Sequence, residues 1–149
     1  MLSIKRILVP TDFNETSDRA LDYAVDLAAK FKAAVSVLHA YQVPVYSFPD
    51  GAIITSAEIA ARLSDAAQKA LDRTVAKHQH PGLEISGILT TGVAWEEVCR
   101  VATELKADLI VMGTHGRRGL QRALLGSVAE NVIRACAVPI LIIHGPRDA

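Results

Sequence analysis

Apolar runs typical of buried strands alternate with helical segments along this 149-residue chain. Strands are predicted at residues 4–9, 34–39, 83–89, 108–112 and 138–143, with a helix in each gap. Strands and helices that alternate in this way form a parallel sheet covered by helices on both faces. The sequence therefore predicts an α/β fold with an open five-stranded parallel sheet, in one domain that spans residues 1–149.

The apolar residues of the predicted helices recur at helical spacing and indicate the faces turned toward the sheet. In the first helix they are Ala20, Tyr23, Ala24, Leu27 and Phe31. In the second helix, from about 56 to 79, they are Ile59, Leu63, Ala67, Ala70 and Val75. In the third helix, from about 94, they are Val98, Val101, Ala102 and Leu105, and the last helix is predicted at 127–136. Residues 41 to about 54 contain two prolines and a glycine and predict a long loop.

Glycines with a distinctive spacing follow the fourth predicted strand: Gly113, Gly116 and then Gly126, with Ser127 beside it. Glycine permits close backbone approach and positive φ, and the last glycine leads into a helix. Backbone N–H groups at such a helix start, with the Ser127 hydroxyl, can hold an anion. Ordinary turn glycines and a simple N-cap are the alternative, but the strand–glycine–helix arrangement as a whole favours a phosphate site.

A second polar segment, Pro10–Thr11–Asp12, follows the first strand. Two strand orders are common for five parallel strands, 3-2-1-4-5 and 2-1-3-4-5, and ligands bind where the order reverses. Only the first order places the reversal between strands one and four, which carry the two polar loops. We therefore predict the order 3-2-1-4-5, with both loops facing one crevice.

Candidate roles follow from these positions. The Asp12 carboxylate can accept hydrogen bonds from ribose hydroxyls or an adenine amino group, although it can also cap the following helix. Pro10 and Thr11 would shape a base pocket through their backbone, as would Ala40 after the second strand. Met112 could pack on the base or the sugar, or belong to the core.

The basic residues of the nine-residue spacer are candidates for contacts to phosphate: His115, Arg117, Arg118 and Arg122. A solvated basic loop is the alternative. Among the other polar residues, His39 is predicted to be structural, His78 and His80 to face water, and Asp108 to hold a turn.

The sequence lacks the common nucleotide-binding motifs of enzymes that transfer phosphate or use dinucleotides. It has no G-x-x-x-x-G-K-[ST] and no G-x-G-x-x-G after the first strand, which argues against a P-loop and against dinucleotide binding. A phosphoryl-transfer enzyme needs metal-holding acids and a positioned base, and neither can be assigned. The sequence therefore favours nucleotide binding over turnover, with no catalytic residue and no protein metal cage.

Composition excludes several other partners. Lysine and arginine total 16 and aspartate and glutamate total 16, so no net charge attracts nucleic acid or an anionic membrane. No apolar run approaches the roughly 20 residues of a membrane span, and the N-terminus has no signal-peptide form. Cys99 and Cys136 lie in predicted helices without metal-type spacing and are expected to be buried free thiols, with a disulfide as the alternative. These features predict a cytoplasmic protein.

Four segments resemble the universal stress protein family: Val9–Asp12, Val37–Ala40, Val111–Gly116 and Gly126–Glu130. The resemblance extends over nearly the whole chain, and the pattern G-x2-G-x9-G-[ST] is similar to that of its ATP-binding branch. It implies a Rossmann-like, adenine nucleotide alpha-hydrolase-like fold and a stress-response regulator that hydrolyses ATP slowly or not at all. It also implies a homodimer paired through the last strand, Val138 to Ile143.

In the site, the resemblance implies that Asp12 contacts ribose or base and Ala40 contacts adenine. Gly113, Gly116, Gly126, Ser127 and Val128 would line the sugar and phosphates, and Mg²⁺ or Mn²⁺ would be carried by the phosphates. Ala129 stands where some members have Ser or Thr. A slow ATPase or phosphotransfer enzyme and a binder of cyclic AMP or another adenine nucleotide remain alternatives. An unidentified protein partner is also compatible. A phosphoacceptor receiver domain is disfavoured because Asp12 has no acidic neighbour.

Overall fold

The computed structural model describes residues 1–51, 53–54, 56–114 and 125–146. The strands in this part of the chain are β1 (Arg6–Pro10), β2 (Ala34–Tyr41), β3 (Tyr46–Ser47), β4 (Ile53–Ile54), β5 (Ile85–Thr91), β6 (Leu109–Gly113) and β7 (Ile140–Ile143). The helices are α1 (Glu15–Phe31), α2 (Ala57–Lys77), α3 (Ala94–Glu104) and α4 (Ser127–Ala135). No helix in these described segments is both long and apolar enough to span a membrane.

The main sheet has five parallel strands in the order β5-β2-β1-β6-β7. Counted along the chain within this sheet, that is 3-2-1-4-5, so the predicted fold and strand order are confirmed. The segment predicted as a long loop contains a short antiparallel hairpin, β3–β4, which the sequence analysis missed. Its two-residue strands are too short to show a periodic pattern.

Each face of the sheet carries its own apolar core, because alternate strand residues point to opposite faces. Ile7 and Val9 of β1 belong to the core beneath α1 and α2. Leu8 belongs to the other core, beneath α3 and α4. The helix after β1 and the helix after β6 therefore lie on opposite faces, and the strand order reverses between these two neighbouring parallel strands. A crevice is expected at that switch, beyond the carboxyl ends of the strands.

The buried stripe of α1 differs from the predicted one. Its buried residues are Ser17, Ala20, Leu21, Ala24, Val25 and Ala28. Tyr23 and Phe31, which were predicted to face inward, are 45% and 39% exposed. The alanines let the helix lie close to the sheet, and the large aromatic rings are left at its margin.

Burial in α2 is concentrated in its second half. Leu71 is fully buried, and with Val75 it lies over Gly87 of β5. The predictions for Ile59 and Leu63 were wrong, since these side chains are 38% and 36% exposed. The prediction that His78 faces water was also wrong. Its ring is buried beside the helix end.

The cysteines are paired, in contrast to the predicted free thiols. Cys99 of α3 and Cys136, which follows α4, form a disulfide with their Cα atoms 5.4 Å apart. The two residues are 37 positions apart in sequence. Their proximity results from the side-by-side packing of α3 and α4, which neither helix pattern indicates alone.

Candidate functional site

A cleft opens at the switch point, where β1, β2 and β6 end and α3 and α4 begin. It encloses about 690 Å³ of space between protein atoms, part of it continuous with solvent. Its lining residues are Pro10, Thr11, Asp12, Ser17, Leu38, His39, Ala40, Ala94, Val98, Met112, Gly113, Thr114, Gly126, Ser127, Val128 and Ala129. The wall is largely apolar with a few polar groups.

The segment after β1 is held by hydrogen bonds to β2 and within the segment itself. The amide of buried Thr11 donates to the Leu38 carbonyl at 2.8 Å, which ties β1 to β2. The Thr11 hydroxyl accepts from the Phe13 amide at 3.0 Å. Phe13 has φ of 67°, a conformation that is uncommon for a bulky residue and costs on the order of 1–3 kcal/mol. Such strain persists only where the surroundings hold the backbone in place.

Asp12 lies half-buried in the cleft wall. Its carboxylate accepts hydrogen bonds from the Ser17 hydroxyl at 3.1 Å and from the Asn14 amide at 3.2 Å. Asn14 in turn caps α1 by accepting from the Ser17 amide at 2.8 Å. Asn14 rather than Asp12 therefore caps α1, while Asp12 supports the cap residue and the first turn and also faces the cleft. The two roles are compatible because an ionised carboxylate accepts several hydrogen bonds.

His39 lines the cleft at the end of β2. Its Nδ1 lies 2.8 Å from the Thr11 carbonyl oxygen, which can only accept, so Nδ1 carries a proton. The ring packs on Phe13 with centroids 4.3 Å apart. The predicted structural role of His39 is confirmed, but its place in the cleft wall was missed. The signal for it was available, since His39 directly precedes the candidate Ala40.

The start of α4 forms the opposite wall. Gly126 is the N-cap residue, with φ of −63° and ψ of 156°, and Ser127 is the first helical residue. The Gly126 amide donates to the Thr114 carbonyl at 2.5 Å, and the Glu130 amide donates to the Gly126 carbonyl at 3.0 Å. The intervening amides lie at the positive end of the helix dipole, which favours an anion.

Gly113 is required for a reason that differs from the predicted one. Its φ is not positive, and the close neighbour is the chain itself. A Cβ at this position would lie 2.6 Å from Thr16 Cγ2, which is far inside van der Waals contact. The end of β6 therefore passes against the first turn of α1, and only a residue without a side chain fits there.

Nine of the twelve predicted site residues line this cleft: Pro10, Thr11, Asp12, Ala40, Met112, Gly113, Gly126, Ser127 and Val128. The other three, His115, Gly116 and Arg117, lie outside the described residues, as do Arg118 and Arg122. Seven further lining residues were not predicted: Ser17, Leu38, His39, Ala94, Val98, Thr114 and Ala129. Most of these are small or apolar residues whose sequence signal is that of an ordinary core.

Two acidic groups near the sheet have structural partners. Backbone amides of Lys5 and Arg6 donate to Asp108 at 2.8 and 3.0 Å and hold the pKa of this carboxyl below its usual value. The Arg100 guanidinium likewise lowers the pKa of Glu97, chiefly by hydrogen bonding. Neither residue lines the cleft. Within the described part of the chain, no three His, Cys, Asp or Glu side chains are grouped to hold a metal ion.

Comparison with known proteins agrees with this architecture. The sequence model described as "Universal stress protein family" matches residues 3–144. Universal stress protein MJ0531 of Methanocaldococcus jannaschii is 36% identical over 145 residues, which cover 96% of this chain and 84% of that protein. Universal stress protein YxiE of Bacillus subtilis is 30% identical, with 93% and 98% covered.

Solved structures show the same fold. The structure of MJ0577, a hypothetical protein studied for structure-based assignment of biochemical function, superposes with a TM-score of 0.82 at 26% identity and covers 99% of this chain and 100% of that one. A universal stress protein in complex with cAMP superposes with a TM-score of 0.66 at 29% identity, with 97% and 100% covered. The family match over residues 3–144, together with the fold, shows that this chain belongs to the universal stress protein family.

Proposed function

We propose that this protein binds ATP in the cleft at the switch point and acts as a nucleotide-dependent regulator with slow or no hydrolysis. The observation that carries the proposal is the convergence of two complementary groups on one cleft. The Asp12 carboxylate lies on the β1 side and the α4 N-terminus lies on the other. A nucleotide needs both groups: a hydrogen-bond acceptor for its ribose hydroxyls, and the positive N-terminal end of a helix for its phosphates.

The apolar part of the wall suits the base. Leu38 and Met112 are buried to 1% and 4% exposure, and Ala94 and Val98 of α3 close the same side. The backbone of Ala40, at the end of β2, is the predicted contact to adenine. The phosphate oxygens would accept hydrogen bonds from the backbone amides of Ser127, Val128 and Ala129. Gly116, His115 and Arg117 remain predicted phosphate contacts, and a magnesium or manganese ion would be carried by the phosphates.

The proposed test begins with the purified protein. Nucleotide retained after mild purification is extracted and identified by mass, and ATP affinity is then measured by calorimetry with magnesium. Asp12→Asn is the informative variant because the amide oxygen can still accept from the Asn14 amide. A lost charged hydrogen bond of about 1.5 kcal/mol weakens binding about tenfold. Asp26→Asn, exposed on α1 and outside the cleft, is the matched control. Unchanged affinity in Asp12→Asn would remove Asp12 from the site.

Cyclic AMP is the second candidate ligand, favoured by the related protein solved with cAMP. The two ligands share adenine and ribose and differ in the phosphates, so competition between them measures what the phosphate wall recognises. ATP that displaces cyclic AMP at equal concentration supports the first proposal, and the reverse order supports the second. Steady ADP release that Asp12→Asn abolishes would instead favour the slow ATPase.

We further propose a homodimer paired through β7. This strand is an edge of the sheet, and Leu141 on it is 36% exposed. An apolar edge strand readily pairs with another chain. Leu141→Lys should shift the protein from dimer to monomer in light scattering after gel filtration, whereas Ser86→Lys on the opposite edge strand β5 should not. A cytoplasmic location and an unidentified protein partner stay predictions.

A further inference from the structure

The disulfide between Cys99 and Cys136 joins the two helices that flank the cleft on one face of the sheet. Independently of the disulfide, apolar packing also holds α3 and α4 together. Val98, Val101 and Ala102 of α3 share one core cluster with Ala129 and Val132 of α4. The disulfide adds a covalent tie between elements that the chain connects only through β6 and the segment after it.

The position of the tie relates it to the cleft. The closed loop from Cys99 to Cys136 contains every lining residue that β6 and α4 contribute, including Gly113 and Ser127. Val98, the neighbour of Cys99, lines the cleft from α3. Since α3 and α4 both begin at the cleft, their relative position sets the separation of its walls on this face. The oxidised pair therefore restrains the geometry of the phosphate and base walls together.

Both cysteines are half-buried rather than enclosed in the core. They are also the only two cysteines of the chain. Reduction therefore yields two thiols and reoxidation restores one disulfide, without competing pairs. Disulfides that persist in reducing compartments are commonly redox-sensing or catalytic. A partly exposed disulfide that joins two cleft-lining helices fits a redox-responsive role.

We propose that Cys99–Cys136 is a modification site for dithiol reductants, and that its redox state sets the affinity of the adjacent cleft for adenine nucleotide. The second half rests on the proposed function. A reductant thiolate attacks one Sγ, breaks the S–S bond and forms a mixed disulfide. The second reductant thiolate then displaces the protein thiolate. The reductant leaves as a disulfide, and the protein gains two electrons and two protons as two thiols.

The coupling follows from preorganisation. In the oxidised protein the two helices are already restrained, so a nucleotide loses less free energy in ordering the walls. In the reduced protein the same order must be maintained by side-chain packing alone. Linkage makes the effect reciprocal, because a ligand that prefers the oxidised form must also oppose reduction.

The test uses the whole protein and dithiothreitol as the probe. Free thiols are counted under native conditions after a titration of reductant, with and without saturating ATP. ATP affinity is measured for the oxidised and the reduced protein in otherwise identical buffer. We expect two thiols per chain without denaturant, affinity about fivefold weaker after reduction, and a higher dithiothreitol concentration for half-reduction when ATP is bound. The Cys99→Ser/Cys136→Ser double variant should match the reduced protein and ignore dithiothreitol.

Other outcomes would overturn the proposal. Thiols that appear only in denaturant would make the disulfide an inert structural cross-link. The coupling would be refuted if the disulfide is reduced under native conditions and the ATP affinities of the oxidised and reduced proteins agree within a factor of about 1.5. If neither redox form binds ATP or cyclic AMP, the proposed function itself fails. That failure is distinguishable because the oxidised protein also fails to bind, while the thiol count is measured independently.

Discussion

The contact between Gly113 and Thr16 leads to a prediction about the first glycine of the spaced motif. In Gly113→Ala, the new Cβ would lie 2.6 Å from Thr16 Cγ2 and 3.3 Å from the Thr16 backbone carbonyl carbon. The first distance is too short to persist, so either β6 or the first turn of α1 must shift. Overpacking of this kind costs about 1–3 kcal/mol of unfolding free energy. For a protein of this size, we expect the melting temperature to fall by about 3–10 °C.

A second substitution tests whether Thr16 is the cause. Thr16→Ser removes the Cγ2 methyl and keeps the hydroxyl, at a cost of up to about 0.8 kcal/mol for a lost buried methyl. In the double variant, the alanine Cβ occupies the space that the methyl leaves. The two costs should then be less than additive by about 1–2 kcal/mol. The contact to the Thr16 backbone remains, so the rescue is expected to be partial.

The assay is a double-mutant cycle by urea denaturation, with nucleotide affinity measured for each variant. Because Thr16 directly precedes Ser17, whose hydroxyl donates to Asp12, a displaced α1 should also weaken binding, and the double variant should recover part of it. Additive stability changes, within about 0.3–0.5 kcal/mol, would refute the steric explanation. If Gly113→Ala leaves stability intact and abolishes binding, the glycine is required by the ligand rather than by Thr16.

Three further changes test other contacts. Cys99→Ser/Cys136→Ser should destabilise the fold by about 4 kcal/mol, because the disulfide no longer restricts a 37-residue loop in the unfolded chain. The melting temperature should fall by about 8–15 °C. A loss of unfolding free energy under about 1 kcal/mol would contradict this prediction. Leu71→Ala should cost about 2–5 kcal/mol in urea denaturation, whereas exposed Leu63→Ala should cost under about 1. Asp108→Asn should cost about 1–2 kcal/mol at pH 7, because two backbone amides donate to the carboxylate. Since its folded pKa lies below the ordinary 3.8, the difference from wild type should vanish as pH falls through that lower value; a pH-independent difference would refute it.

The strand order could be predicted because two polar segments, at Asp12 and at Gly113, had to share one crevice. That requirement selects one of two common topologies, and the sheet has it. The site residues that could be predicted are those with special chemistry at strand ends and at the α4 start. Ala94 and Val98 could not be recognised, because an apolar residue in the first turns of a helix has the same local pattern whether or not a cleft lies beside it.

Helix faces were predicted less well than strands. The patterns of α1 and α2 contain apolar residues around much of the helix, so periodicity alone did not distinguish Tyr23 from Leu21, or Leu63 from Leu71. The alanines of α1 set how closely it approaches the sheet, and the place of Gly87 beneath α2 decides which of its leucines is covered. Both facts depend on neighbours far away in sequence.

Local chemistry in the chain was enough to determine the alternation of strands and helices, the order of the sheet and the two ends of the cleft, because strand periodicity, turn glycines and caps act over a few residues. Tertiary structure alone decided the pairing of Cys99 with Cys136, the burial of His78 beside Asp22 of α1, and the requirement for glycine at 113. Each of these depends on which elements lie side by side, and that depends on packing across the whole sheet rather than on any segment within it.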